Sequence, residues 1–122
     1  MQVKDLKFEE LEITAEQSDQ ELCLRWRGSI HSQDPGDTLE PYVDLVLDLA
    51  ERDHLKIICD FARLEYMNSA SIPPLIHLLR SSAERRIHTS FLYDAARKVQ
   101  TASFRALDVI ARKSEFTSVK GI

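Results

Sequence analysis

The sequence is poor in the residues that build the commonest small catalytic and metal sites. Its 122 residues include three glycines, too few for a Gly-rich phosphate-binding loop, and two cysteines. Cys23 and Cys59 lack the Cys-x-x-Cys spacing of a zinc site, so we interpret them as small buried side chains in a reduced protein. The four histidines form no metal-binding pair. The sequence therefore predicts no metal, no cofactor and no enzymatic activity.

The chain also lacks an excess of positive charge and any long apolar run. Its formal net charge of -4 argues against a nucleic-acid partner, because no basic excess is present to neutralise phosphates. No apolar run approaches the ~20 residues that span a bilayer, and the first residues lack the apolar core of a secretory signal. We therefore expect a cytoplasmic protein without membrane insertion. The length and the hydrophobic content of 43% fit one globular domain, 1–122.

Apolar residues alternate with polar ones in some segments and recur at every third or fourth position in others, which are the periods of strands and helices. From these periods we predict strands at 8–15, 21–28, 55–61, 88–93 and 116–119, and helices at 39–52, 73–86 and 95–112. A hairpin followed by alternating helices and strands is typical of an α/β fold with a mixed sheet, whose parallel part is joined by right-handed crossovers.

The apolar positions also predict which side chains are buried. Strand 55–61 is almost continuously apolar, so we expect it to lie centrally in the sheet, with Ile58 and its neighbours buried on both faces. The predicted buried residues of the helices are Tyr42, Val43, Leu45, Val46, Leu49 and Ala50 in the first, Ile72, Leu75, Ile76, Leu79 and Ala83 in the second, and Val99, Ala102, Ala106 and Ile110 in the third.

Residues 57–71, with the sequence IICDFARLEYMNSAS, resemble the central signature of STAS domains, the family of the anti-sigma-factor antagonists. That signature is an apolar strand ending in Asp, a loop containing an apolar pair, and then Asp-Ser-Ser/Thr-Gly opening a helix. Gly28 lies where the family has a glycine after its second strand, and the pattern extends over about residues 8–119. The resemblance implies a single divergent STAS-like domain, with an N-terminal hairpin, βα repeats and about three covering helices.

The resemblance also identifies a candidate modification site. In the family, the serine directly after the signature Asp is often phosphorylated by a partner kinase, and the matching residue here is Ser69. Three neighbours depart from the signature, because Asn68 replaces the Asp, Ala70 the second Ser or Thr, and Ser71 the Gly. The resemblance implies a non-enzymatic regulatory module whose candidate partner-binding residues are Asn68, Ser69, Ala70, Ser71 and Ile72.

The physical chemistry of a helix start is compatible with such a switch. Unpaired backbone N–H groups and the positive end of the helix dipole favour an anion there, and a phosphate adds about -1.5 to -2 charges. Ile72 and Pro73 each precede a proline and are biased away from helical angles, which places the start of the regular helix between Ser71 and Pro74. Ser69 would then lie just before the helix. The alternative is that Ser69 is a loop or capping serine that satisfies local backbone donors.

The sequence is compatible with three functional hypotheses. The first is a module of a bacterial signalling pathway that docks a kinase-like anti-sigma factor or a similar regulator through the start of the second helix. The second is an STAS-like accessory subunit of a membrane transporter ATPase. The third is a small-molecule or nucleotide sensor at the strand ends near Asp60 and Asp94, although such carboxylates more often stabilise loops. The identity of the partner and the oligomeric state stay open.

Overall fold

The chain forms a six-stranded mixed sheet and three α-helices in a computed structural model, which describes residues 3–122 apart from the side chain of Val99. The strands are β1 (Leu6–Phe8), β2 (Leu11–Gln17), β3 (Glu21–Ile30), β4 (Lys56–Met67), β5 (Thr89–Tyr93) and β6 (Thr117–Gly121), and the helices are α1 (Gly36–Asp53), α2 (Ile72–Glu84) and α3 (Lys98–Ala111). The strands lie in chain order, antiparallel from β1 to β3 and parallel from β3 to β6. This confirms the predicted α/β class. None of the helices in residues 3–122 is long and apolar enough to cross a membrane.

The three helices lie side by side on one face of the sheet. Rows of residues in register across the parallel strands alternate in burial, with one buried row of Leu24, Cys59, Phe91 and Val119 next to a more exposed row of Arg25, Asp60, Leu92 and Lys120. The expectation that strand 55–61 is buried on both faces is therefore wrong. Ile57 and Cys59 are buried under the helices, but Ile58 faces the other side and is partly exposed. A continuous apolar run indicates a central strand, but it does not reveal how many faces are covered.

The core under the helices is organised around Phe61. The centroid of its ring lies 4.9 Å from that of Trp26, 5.1 Å from that of Phe91 and 4.9 Å from that of Phe104 in α3. Aromatic pairs at such distances stabilise a fold beyond the apolar area that they bury. Because this cluster joins three strands and a helix, it fixes the position of β4, whose carboxyl end carries the candidate site.

The buried face of α1 differs in phase from the predicted one. Burial is confirmed for Tyr42, Val43, Val46, Leu49 and Ala50 of α1 and for Leu75 and Leu79 of α2, while Ile72, Ile76 and Ala83 of α2 are only partly buried. The prediction for Leu45 is wrong, because 55% of this side chain is exposed. The buried face of α1 is centred on Leu39, Val43 and Val46, so Leu45 falls beyond its edge.

The buried face of α3 is also different from the prediction. Ala102 and Ala106 are exposed and Ile110 is only partly buried, whereas Phe104 and Leu107 are completely buried. The remaining predicted side chain, that of Val99, lies outside the described residues. Alanines are tolerated on either side of a helix, so their spacing is a weaker guide to the buried face than the larger side chains between them.

The N-terminal hairpin contains a short strand that the sequence did not predict. The segment 8–15 is not one strand, because a turn at Glu9 and Glu10 separates β1 from β2, with Glu9 at a φ of 54°. Gly28 lies opposite Leu11 at a φ of 94°, and a Cβ atom on it would be 1.9 Å from the carbonyl oxygen of Glu10. Only glycine fits this close approach, which explains why position 28, identified by the resemblance, is a glycine.

Candidate functional site

β4 continues through the segment that the signature predicts as a loop. It pairs with β3 as far as Met67, opposite Ile30, so the prediction of a loop after residue 61 is wrong. The strand continues past a bulge after Asp60, whose Oδ1 accepts a hydrogen bond from the N–H of Ala62 at 2.9 Å. β5 pairs with β4 only from Ile57 to Asp60. The second half of β4 therefore extends beyond β5. The junction between β4 and α2, residues 68–71, lies at the end of this extension.

A single turn of 3-10 helix, Ser69–Ser71, connects β4 to α2. Ile72 has helical angles, φ -66° and ψ -47°, so the expected bias of this residue away from the helix is wrong. Pro73 and Pro74 occupy the first turn of α2, where backbone N–H groups have no acceptor within the helix and their loss costs no hydrogen bond. The regular helix begins within the predicted interval, and Ser69 lies just before it.

Asn68 ties this junction to the neighbouring loop. Its Nδ2 donates to the carbonyl oxygen of Ser32 at 2.6 Å, and its Oδ1 accepts from the hydroxyl of Ser71 at 2.9 Å. Its backbone N–H donates to the carbonyl oxygen of Ile30 at 3.1 Å. An aspartate at this position could accept from Ser71 but could not donate to Ser32. The amide that departs from the family signature therefore has a structural reason.

The two serines of the junction have opposite environments. Ser71 is completely buried and donates to Asn68. Ser69 is exposed, and its hydroxyl makes no hydrogen bond to any described residue. The capping role considered for Ser69 is therefore not seen in the structure. Of the other predicted partner-binding residues, Ala70 and Ile72 are partly exposed. Ser69 is thus the most accessible reactive group of the predicted site.

Sequence reasoning missed an aromatic pair beside this junction. The rings of His31 and Tyr66 stack with centroids 4.9 Å apart, and both side chains are exposed. Nε2 of His31 lies 3.6 Å from a carboxylate oxygen of Glu10. A cavity of about 350 Å³ opens next to the pair, and Glu9, Glu10, Ser29, His31 and Ser32 line it. If the predicted strand had continued to Met67, the alternation of buried and exposed side chains along it would have placed Tyr66 on the surface.

Asp60 and Asp94 stabilise local turns, as the sequence predicts for such residues. Asp60 binds the N–H of Ala62, and Oδ1 of Asp94 accepts from the N–H of Ala96 at 2.9 Å. The guanidinium of Arg97 lies 3.5 Å from the other carboxylate oxygen of Asp94. Each carboxylate therefore accepts a hydrogen bond within its own loop.

Residues at the start of α3 hydrogen-bond to the backbone of β4 beside the strand ends. Gln100 is only 3% exposed, and its amide donates to the carbonyl oxygens of Phe61 and Leu64. Arg97 also donates to the carbonyl oxygen of Leu64, at 3.2 Å. Asp60 also lines a cavity of about 370 Å³ with Arg25 and Arg63, and the sensor hypothesis stays a prediction.

Neither cysteine nor any carboxylate cluster offers a reactive centre within the described residues. Burial raises the pKa of the Cys59 thiol, and burial also raises the pKa of Cys23, so both are poor nucleophiles at neutral pH. In residues 3–122, no group of three or more His, Cys, Asp or Glu side chains could hold a metal ion. The arrangement offers the exposed hydroxyl of Ser69 on a turn that the hydrogen bonds of Asn68 and Ser71 hold in place.

Solved structures share this fold, although no protein-family model and no curated protein matches the sequence significantly. An anti-sigma factor antagonist from Mycobacterium paratuberculosis matches with a TM-score of 0.64 and 12% identity, over 93% of this chain and 90% of that one. SiaC of Pseudomonas aeruginosa matches with a TM-score of 0.56 and 15% identity, over 97% and 98%. A Shewanella loihica protein with a SpoIIAA-like fold matches with a TM-score of 0.54 and 12% identity, over 96% and 88%. The predicted STAS-like fold is confirmed.

Proposed function

We propose that this protein is a non-enzymatic, cytoplasmic regulatory module of a bacterial signalling pathway. It binds a protein partner through the junction between β4 and α2, and phosphorylation of Ser69 controls the binding. The observation that carries the proposal is the contrast within the junction. Asn68 and Ser71 are held by hydrogen bonds, while the hydroxyl of Ser69 is exposed and bound to nothing in the described residues. The fold shared with an anti-sigma factor antagonist supports the same conclusion.

The junction suits a modification that changes the surface without unfolding it. Ser69 precedes a helix of 13 residues, whose positive dipole end tolerates an added anion. A phosphate adds about -1.5 to -2 charges and three acceptor oxygens. The turn that presents Ser69 stays fixed, because its bonds are made by Asn68 and Ser71 and do not involve the Ser69 side chain. A partner that fits the neutral surface would then meet a concentrated negative charge, which weakens docking.

Affinity capture from a lysate of the source organism tests the proposal. We expect the wild type, Ser69→Ala and Ser103→Glu to capture the same partner, and Ser69→Glu to lose it. Ser103 is a matched control, because it is a partly exposed serine of α3 for which the structure shows no side-chain hydrogen bond. Mass spectrometry of the natively isolated protein should find phosphate on Ser69. Equal capture by Ser69→Glu and wild type would contradict the proposal.

The alternative hypotheses differ in the partner that they require. An accessory subunit of a transporter ATPase would co-purify with that ATPase, and the Ser69→Glu substitution would have no effect on this association. A small-molecule sensor would show a rise in Tm with its ligand. A ligand bound beside Gln100 and Arg97 would break their hydrogen bonds to β4, whereas the cavity beside Asp60 does not involve them.

A further inference from the structure

The helix layer of the protein extends past the edge of the sheet at β1. This strand pairs with β2 and, among the described residues, has no strand on its other side. α1 reaches the same edge, because the hydroxyl of Tyr42 donates to the carbonyl oxygen of Lys4 at 2.8 Å. Leu45, three residues further along α1, is 55% exposed. A large apolar side chain of the helix layer therefore lies where no described strand covers it.

An apolar groove lies between β1 and α1, and we call it the β1 groove. Its volume is about 580 Å³, larger than the cavities of about 370 and 350 Å³ described above. The side chain of Leu6 points toward the helices, as does its neighbour in register on β2, the completely buried Ile13. The β1 groove therefore continues the helix-covered side of the sheet beyond its last strand. Its apolar lining consists of Val3, Leu6, Tyr42, Leu45 and Leu49.

Unpaired backbone groups run along one side of the β1 groove. Successive residues in an antiparallel pair point their N–H and C=O groups alternately toward the partner strand and away from it. The groups of Leu6–Phe8 that point away from β2 make no hydrogen bond to any described residue. Such an edge binds an extended chain through main-chain hydrogen bonds, and every second side chain of that chain enters the adjacent pocket. A helix packed in the groove would leave these groups without partners.

The charges at this edge favour an acidic strand. Lys4 lines the β1 groove and Lys7 is the central residue of β1, and neither forms an ion pair with a described residue. Glu12 lies opposite Lys7 in register but binds Arg27 at 2.6 Å. The other charged groups of the groove have partners, namely Asp5 with the N–H of Ala15, Asp48 with Arg85, and Arg52 with Asp53. The cations without partners are therefore available to carboxylates of another chain.

We propose that β1 is the docking edge for an extended acidic segment of a partner protein, which adds a seventh strand to the sheet. Apolar side chains at every second position of the segment fill the β1 groove against Leu45. The side chains between them lie beside Lys7, where aspartate or glutamate is favoured. A lysine in an edge strand also discourages pairing with purely apolar strands. Since Ser69 follows β4 and not β1, the proposal is independent of the function proposed for Ser69.

A synthetic peptide of about eight residues, in which valine alternates with glutamate, tests this edge on the full chain. Fluorescence anisotropy measures its affinity, and amide hydrogen exchange followed by NMR locates its contact. We expect binding that slows exchange within Leu6–Phe8. The same peptide N-methylated at alternate amides along its bonding edge should bind about tenfold more weakly, because it cannot donate to β1. A version with lysine in place of glutamate should also bind more weakly.

Two substitutions test the groove and the charge separately. Leu45→Glu should weaken peptide binding about tenfold, because it places a carboxylate on the apolar wall, and Lys7→Glu should weaken it about threefold. Val109→Glu is the matched control, because Val109 is an apolar residue of α3 that is 62% exposed. Circular dichroism melting shows that each variant is folded.

Ser69→Glu should bind the peptide as the wild type does, which separates this edge from the function proposed for Ser69. Four results would overturn the proposal. These are no binding at millimolar peptide, equal binding of the N-methylated peptide, slowed exchange away from β1, and unchanged binding in both Leu45→Glu and Lys7→Glu.

Discussion

The inward and outward residues of segment 57–71 have similar chemistry but very different surroundings. Phe61 and Ser71 point inward and are completely buried, whereas Ile58 and Ser69 point outward and are partly or fully exposed. Phe61 and Ser71 stabilise the fold, whereas Ile58 and Ser69 are accessible to solvent and to other molecules. The comparison shows that residue type alone does not decide whether a position serves stability or recognition, and four substitutions can break or sharpen it.

The largest effect should come from the inward aromatic residue. Phe61→Ala removes the ring that contacts Trp26, Phe91 and Phe104, and leaves a cavity that rigid strands cannot close. We expect a loss of about 3–5 kcal/mol in the free energy of unfolding, measured by urea denaturation. A loss below about 1 kcal/mol would mean that the cluster does not organise the core.

A smaller effect is expected at the residue that ties the junction together. Asn68→Asp should lower the free energy of unfolding by about 1–3 kcal/mol at neutral pH, because a carboxylate oxygen would face the carbonyl oxygen of Ser32. That contact raises the pKa of the new carboxyl in the folded state, so the folded variant binds more protons than the unfolded chain. The loss should therefore shrink as the pH falls through the raised pKa.

Denaturation at several pH values checks this sign. Ser71→Ala is the uncharged control, since it removes a hydrogen bond to the same side chain and should cost about 1 kcal/mol at every pH. A loss in Asn68→Asp that does not change with pH would show that the carboxylate finds another donor. Ser71 is buried, so its replacement by alanine is not a neutral comparison for Ser69.

Substitution of Ile58, which points away from the core, should destabilise the protein less than substitution of a core residue. A strand buried on both faces would lose cooperative folding in Ile58→Asp, but the structure leaves Ile58 in contact with solvent. We expect the variant to fold, with a loss of about 1–2 kcal/mol that reflects partial burial only. A denaturation curve without a cooperative transition would show that Ile58 is covered even in the single chain.

The smallest effect on stability should come from Ser69. Its hydroxyl has no partner in the described residues, so Ser69→Glu should change the free energy of unfolding by less than about 0.5 kcal/mol. Thermal melting measured beside Ser103→Glu checks this expectation. A large loss of Tm in Ser69→Glu alone would mean that any loss of partner binding reflects unfolding and not a changed surface.

The sequence predicted the order of the elements apart from β1, because the alternation within strands and the spacing within helices are local properties. The resemblance picked out Gly28, for which the structure shows a backbone reason, and Ser69, whose role stays a prediction. The sequence could not predict that all helices lie on one face, since the side chains of Ile57 and Ile58 are alike. It also missed the end of β4, because the bulge at Asp60 depends on a bond between neighbours that no periodicity records.

The hydrogen bonds from Gln100 and Arg97 to β4 lie along a strand edge that has no partner strand within residues 3–122. Beyond Asp60 the strand has no neighbour on the side of β5, and a bare strand edge is a template for adding foreign strands. The side chains of α3 occupy the carbonyl oxygens of Phe61 and Leu64 on this stretch. The stretch of β4 that leads to Ser69 therefore offers fewer free backbone acceptors to other chains along this edge.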